Sequence, residues 1–145
     1  MVNETEEIID TPSESGREHV KRYLETDGAD GHEWRGVHTL LLVTRGRKTG
    51  KLHRTALIYG KHGKRYIIVA SKGGAPQNPQ WYLNLTDNPE VQVQVLADKF
   101  TATARTATKF EKPELWKLMC GVWPAYNDYQ DKSPRQIPVV ILERK

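Results

Sequence analysis

The strict alternation Val91-Gln92-Val93-Gln94-Val95 is the pattern of a strand with one buried and one wet face; a helix would scatter those valines around its surface. It pairs naturally across Ala97-Asp98 with a second strand over 100–106. Upstream the same chemistry recurs: β-formers fill 38–44, 54–59 and 65–71, separated by the Gly-bounded turn 45–53 and a hairpin turn over Gly60–Gly63. A last strand over 137–142 begins at Pro138, which suits a strand end or an edge. Six strands, linked mostly by hairpins, avoid exposed edges by closing into a small barrel. The expected fold is therefore mainly β, α+β in class: a six-stranded antiparallel barrel with short flanking helices.

Three helices are expected around it. Ser13 or Ser15 caps a helix running to about Thr26, stopped by Gly28, whose thin apolar stripe (Val20, Tyr23, Leu24) implies peripheral packing. Asn78 stands where an N-cap belongs, with Pro79 at the first helical position of a helix through Leu85. The third spans 111–121, with Leu115, Trp116, Leu118 and Met119 as its packing residues. Residues 1–13 are acidic and aperiodic and read as a flexible tail, leaving 14–145 as one domain, a length that buries a single core without disulfides.

Charge narrows the function. Between Trp34 and Thr86 lie ten basic residues (Arg35, Arg45, Arg47, Lys48, Lys51, Arg54, Lys61, Lys64, Arg65, Lys72) and no Asp or Glu. Such a run repels itself unless an anion comes to it. Two Gly-rich turns coincide with it. In TRGRKTGKLHR (44–54), Arg and Lys alternate with Gly46 and Gly50; this is not a P-loop, because the segment leads into a strand. In SKGGAPQNPQWYLN (71–84), Gly73 and Gly74 permit backbone N–H groups to face an anion just before a helix begins. Taken alone, the first turn is better explained as a charged hairpin.

Aromatic residues supply candidate walls. Trp81 and Tyr82 follow the Gly-Gly turn, and at least one of them belongs to the core. Trp123, Tyr126 and Tyr129 recur every third residue, equally consistent with a pocket wall and an anchored surface loop. The five histidines show no H-x-x-x-H or H-x-H spacing, so no metal is expected. Ser71 lacks a hydrolase elbow, and Cys120 lies on an apolar helix face. Anion cradles and aromatic walls without an acid–base pair point to borrowed reactivity, from a phosphorylated, ring-bearing cofactor. The lone cysteine and the absence of a signal peptide or membrane span point to the cytoplasm.

At this point TRGRKTGKLHRTALIY, VASKGGAPQNPQWYLNL with NPEVQVQV, and PAYNDYQ with IPVVI resemble the deazaflavin (coenzyme F420)-dependent nitroreductase and quinone reductase family of actinobacteria, over about 40–142. The resemblance implies a split β-barrel. It implies that Arg47, Lys48 and Thr49 hold the phosphate and glutamate tail, with His53 and the strand Thr55, Ala56, Leu57, Ile58 beside it. Val69, Ala70, Ser71 and Lys72 would line the deazaflavin ring and phosphate. Gln80, Trp81, Tyr82, Leu83 and Asn84 would close over them, and Tyr126 would reach the ring. Ser71, Trp123, Tyr126 and Tyr129 would border the acceptor, with Ser71, Tyr126 or Tyr129 as the hydrogen-bond or proton donor. The chain departs from the family's nitro-prodrug-activating member at Trp123 and Ile58, where that member has tyrosines, and in its acidic N-terminus.

The implied reaction is hydride transfer from reduced deazaflavin to a quinone, nitro or conjugated small-molecule acceptor, in an enzyme that pairs as a homodimer. Three rivals stand beside it. An FMN oxidoreductase on the same barrel would use the same cradle and walls. A non-catalytic deazaflavin carrier would bind the coenzyme without oxidising it. A nucleic-acid-binding barrel fits the basic run but not the aromatics, which cluster after the anion turn instead of interleaving with the cations.

Overall fold

Leu40-Leu41-Leu42-Val43 is buried on both sides of its strand, which a one-faced barrel wall does not require. The computed structural model, which describes residues 6–145, gives the reason. Strand β3 (Val37–Arg45) turns Leu40 and Leu42 into the main core, while Leu41 packs beneath Val20 and Tyr23 of helix α1 (Glu14–Thr26). One strand therefore serves two apolar layers.

The same division governs the other half of the sheet. In β6 (Arg65–Val69) and β9 (Val139–Arg144), Ile68, Val140 and Leu142 join the main core. Their neighbours Ile67, Val69, Val139 and Ile141 point the other way, under Leu115 and Met119 of α3 (Lys112–Val122) and Tyr126 of α4 (Ala125–Lys132). Each fully buried Leu or Ile contributes about 1.5–3 kcal/mol, so both layers matter to stability.

Among the described residues the fold is mixed α+β, with four α-helices and nine strands in one mostly antiparallel sheet. The remaining strands are β1 (Ile8–Asp10), β2 (Glu33–Trp34), β4 (Leu52–Ile58), β5 (Gly60–His62), β7 (Glu90–Val95) and β8 (Asp98–Thr106). Their order is β1-β4-β3-β7-β8-β9-β6-β5, with β2 paired to β3. The sheet is an open path, so the expected closed six-stranded barrel is corrected to nine strands. The additional strands come from two short segments, β1 at one end of the order and β2 beside β3, and from the segment 52–62, which Tyr59 divides into β4 and β5. Its first half pairs with β3 and its second with β6.

Several boundaries move for local reasons. Gly60–His62 is strand, and the turn is Gly63-Lys64 with Gly63 at φ 64°. The turn between β7 and β8 is Leu96-Ala97, with Leu96 held at φ 55°. The Leu96 N–H donates to the Tyr23 hydroxyl at 2.8 Å, and that hydroxyl donates to Thr39 O at 3.0 Å. Tyr23 is wholly buried, so α1 is anchored and not peripheral. Ser13 caps it, accepting from Gly16 N at 3.1 Å. Pro138 does precede its strand, but β9 lies between β8 and β6 and is no edge.

The flexible tail expected over 1–13 lies outside the described residues for 1–5. Beyond them it is corrected: β1 pairs in parallel with β4, Ile8 opposite Leu52 and Asp10 opposite Arg54.

The start of helix α3 is pinned to β8 through a fork. Arg105 donates from Nη1 and Nη2 to the two Glu111 oxygens at 2.7 and 2.8 Å, and Thr108 N–H donates to the same carboxylate at 2.9 Å. Arg105 first, and then that amide, hold the Glu111 carboxyl at about 2. Because this value lies below the ordinary carboxylate range, the unfolded chain takes up the proton first. The contribution is complete above the ordinary value and is lost as pH falls toward 2. Glu111→Gln should therefore lower the melting temperature at pH 7, and the gap from wild type should close as thermal unfolding is repeated at progressively lower pH.

Candidate functional site

The basic turn between β3 and β4 is closed by its own backbone: Gly46 N–H donates to Lys51 O at 2.7 Å and Gly50 N–H to Gly46 O at 2.9 Å. Gly46 has no room for a side chain, since a Cβ there would lie 2.7 Å from Thr49 Oγ1 and 2.9 Å from His53 Nε2. The turn thus gathers Arg47, Lys48, Thr49 and His53 over a short span.

Asn84 of α2 (Gln80–Asp87) fixes that turn against the helix. Its Oδ1 accepts from Arg47 N at 3.2 Å and from Arg47 Nη1 at 3.0 Å, while its Nδ2 donates to Thr44 Oγ1 at 3.3 Å. Gln80 Oε1 accepts from Arg47 Nη1 at 3.0 Å. Asn84 is 4% exposed, so this amide is an internal strut. The helix start differs from expectation: Pro79 is the N-cap residue, and Asn78 turns away to accept from Arg135.

The facing turn is strained. Lys72, Gly73 and Gly74 all have positive φ, at 47°, 63° and 84°, and Lys72 is not glycine. Arg135 holds this conformation. Its guanidinium donates to Ala75 O at 2.9 Å, Ala70 O at 3.2 Å, Ser71 O at 2.9 Å and Asn78 Oδ1 at 2.8 Å. No motif marks Arg135 in the sequence; only the fold brings it 57 to 65 positions back along the chain.

Two cavities of about 620 and 580 Å³ lie between these turns, and Thr11, Thr55, Lys72, Pro79 and Trp81 line both. The first takes Arg47, Lys48, Thr49, His53, Gln80 and Asn84. The second takes Ala56, Leu57, Ile58, Val69, Ser71, Trp123, Tyr126 and Tyr129. The two motifs read from sequence are thus brought together, the cations of the basic turn at the first cavity and the aromatic triplet, beside Arg22 and Arg35, at the second.

Three expected residues line neither cavity. Ala70 is wholly buried, Tyr82 OH lies 2.8 Å from Thr106 Oγ1, and Leu83 follows it away from the chambers. The helical period allows α2 to present only one face, and Gln80, Trp81 and Asn84 occupy it.

Trp123, Tyr126 and Tyr129 do wall a cavity, the first at the end of α3 and the two tyrosines on α4, a helix that the Pro-interrupted sequence concealed. Trp123 Nε1 donates to Tyr129 OH at 3.4 Å, and the Tyr126 and Tyr129 rings meet edge to face at 6.0 Å. Burial pushes the Tyr126 phenol well above its ordinary value, so it stays protonated through the neutral range. Sequence reasoning missed Trp34, whose ring lies 5.7 Å from Trp123, and the segment Ile9–Pro12 beside the cationic chamber.

The family model for F420H(2)-dependent quinone reductase matches residues 15–144. The chain belongs to that family. A putative F420H(2)-dependent quinone reductase of Mycobacterium bovis is 39% identical over 133 residues, covering 89% of each chain. A second putative member, from Mycobacterium tuberculosis, is 38% identical over 106 residues, 73% of this chain and 89% of its own. Among solved structures, an F420-H2 dependent reductase is 40% identical with a TM-score of 0.67, over 72% of this chain and 93% of that one. A chain solved as a domain-swapped dimer is 38% identical with a TM-score of 0.70, over 88% and 96%.

Arg135→Ala should cost about 2 kcal/mol or more in urea unfolding, because it strips a charged donor from four acceptors at once. Arg135→Lys should recover only part of this, since an ammonium cannot reproduce the fork.

Proposed function

We propose that this family member is an F420H2-dependent oxidoreductase that passes a hydride from the reduced deazaflavin to a quinone, nitro or conjugated acceptor. The observation that carries this reading is the joined pair of chambers, one at the basic turn and one at the aromatic triplet, sharing Lys72 and Trp81 at their junction.

The residues fit the coenzyme's chemistry. Arg47, Lys48 and Thr49 provide charge and donors suited to phosphate and carboxylate, on a turn closed by its own backbone hydrogen bonds. Among the described residues Arg47, Lys48 and Lys72 have no carboxylate partner, leaving their charge available to a ligand. Lys72 and the backbone through Gly74 would meet the phosphate, and Thr55 to Ile58 with Val69 and Trp81 would hold the flat ring. When bound, the coenzyme supplies two electrons as hydride. The chain's own part is to keep the acceptor at near-attack distance beside the aromatic wall. The Ser71 hydroxyl or the Tyr126 or Tyr129 phenol would donate a hydrogen bond to the acceptor's developing negative charge, with the proton coming from that group or from water.

The finer expectations form part of the same proposal. Tyr59 alone separates β4 from β5, which pair in distant parts of the strand order; this supports a split barrel, in one domain that takes in β1 as well as residues 14–145. Assembly as a homodimer is supported by the domain-swapped neighbour, and residence in the cytoplasm by the lone Cys120. Among the described residues no helix is long and apolar enough to cross a membrane.

Lys48→Ala should weaken coenzyme affinity roughly tenfold or more in a fluorescence titration, the worth of one charged hydrogen bond, while lowering turnover at saturation much less. Equal affinity in the two proteins would remove Lys48 from the site. Oxidation of reduced F420 against a panel of quinones, nitroaromatics and enones tests the reaction itself; binding without oxidation by any of them would leave a carrier.

A further inference from the structure

One wall of the cationic chamber comes from Ile9, Asp10, Thr11 and Pro12, which have no role in the site proposed above. This wall is strapped in place. The ladder of β1 on β4 continues with Thr11 N–H donating to Arg54 O at 2.9 Å. Arg54 Nε donates to Asp10 Oδ1 at 2.6 Å and its Nη2 to Asp10 Oδ2 at 3.1 Å. Arg45 grips both Glu6 oxygens in the same way, and Arg17 Nη1 fastens Pro12 O as the chain turns into α1.

The strap changes the charge map of the chamber. Both Asp10 oxygens are taken up by Arg54, so a cation that lines the chamber is cancelled by a carboxylate that lines it too. Among the described residues Arg47, Lys48 and Lys72 are not cancelled. Positive charge is thus left on Arg47 and Lys48 of the basic turn and on Lys72 of the facing turn, while the strap wall Ile9–Pro12 with its partner Arg54 adds no net charge. A ligand with its anionic groups close together is well matched to such a groove. One that trails a long row of carboxylates past Asp10 gains nothing from the additional charges and meets a fixed carboxylate.

We propose that the Asp10–Arg54 pair makes this chamber selective for coenzyme with a short polyanionic tail, Asp10 being the residue that sets the preference. The inference rests on the coenzyme reading above and concerns tail length only. It predicts opposite effects from the two halves of one ion pair: removing Asp10 frees a cation for a long tail, whereas removing Arg54 leaves a bare carboxylate against it. Loss of the pair's structural role would act in one direction for both.

The test is fluorescence titration of the full-length protein at low salt with two forms of F420, one carrying a single glutamate and one a long polyglutamate tail. Wild type, Asp10→Asn, Arg54→Gln and, as a remote charge control, the exposed Glu25→Gln are compared. Asp10→Asn should raise the long-tail to short-tail affinity ratio about three- to fivefold, Arg54→Gln should lower it by a similar factor, and Glu25→Gln should leave it unchanged. Both differences should shrink in high salt. A ratio that stays at the wild-type value in both pair variants, that moves the same way in both, or that shifts equally in Glu25→Gln overturns the proposal. Wild type that binds neither form overturns the coenzyme reading itself.

Discussion

Like charges set the constraint on which the rest of this molecule depends. A segment with ten cations and no carboxylate from Trp34 to Thr86 cannot fold back on itself at close quarters without counter-charge from elsewhere. The chain supplies part of it from its acidic beginning, Glu6 to Arg45 and Asp10 to Arg54, and part from α3, where Glu111 lies 3.7 Å from Arg65. Among the described residues seven of the ten cations are left over, and three of these share a site. Arg47, Lys48 and Lys72 converge on one chamber, as positive charge that folding concentrates and leaves for a ligand to answer.

Holding that charge in place falls to apolar packing and a few buried polar struts. The sheet carries hydrophobic side chains on both faces: one face is closed over the main core, and the other is covered by α1 at β3 and by α3 and α4 at β6 and β9. This two-layer arrangement lets α4 deliver Tyr126 and Tyr129 to the same cavity that β4 reaches from across the sheet. Asn84 then locks the basic turn to α2, and Arg135 locks the strained turn 72–74 to the segment after α4. Both struts restrict groups that would otherwise have to be ordered when a ligand arrives.

Much of the architecture was legible because it is written in local chemistry. Period-two alternation marked β7, the turn glycines marked Gly50 and Gly63, and Ser13 capped its helix as its residue type dictates. Charge counting located the basic turn, and the Gly-Gly break located its partner. Less legible were features whose cause lies far along the chain. The acidic start reads as a tail because an isolated three-residue strand has no reason to form until β4 offers it an edge and two arginines. Helix α4 was obscured by Pro124, which begins it.

By itself the sequence determined the strand-forming segments, the two Gly-rich anion turns and the aromatic triplet, since each depends on residues within a few positions of one another. Only the tertiary structure decided that these turns share two joined chambers, that Tyr82 and Leu83 face away from them, and that Arg135 and Asp10 belong to their walls. The physical reason is that partners far apart in the chain, such as Tyr66 opposite Leu142, are chosen by the competition of all buried surfaces and charges at once. No local pattern records the outcome of that competition.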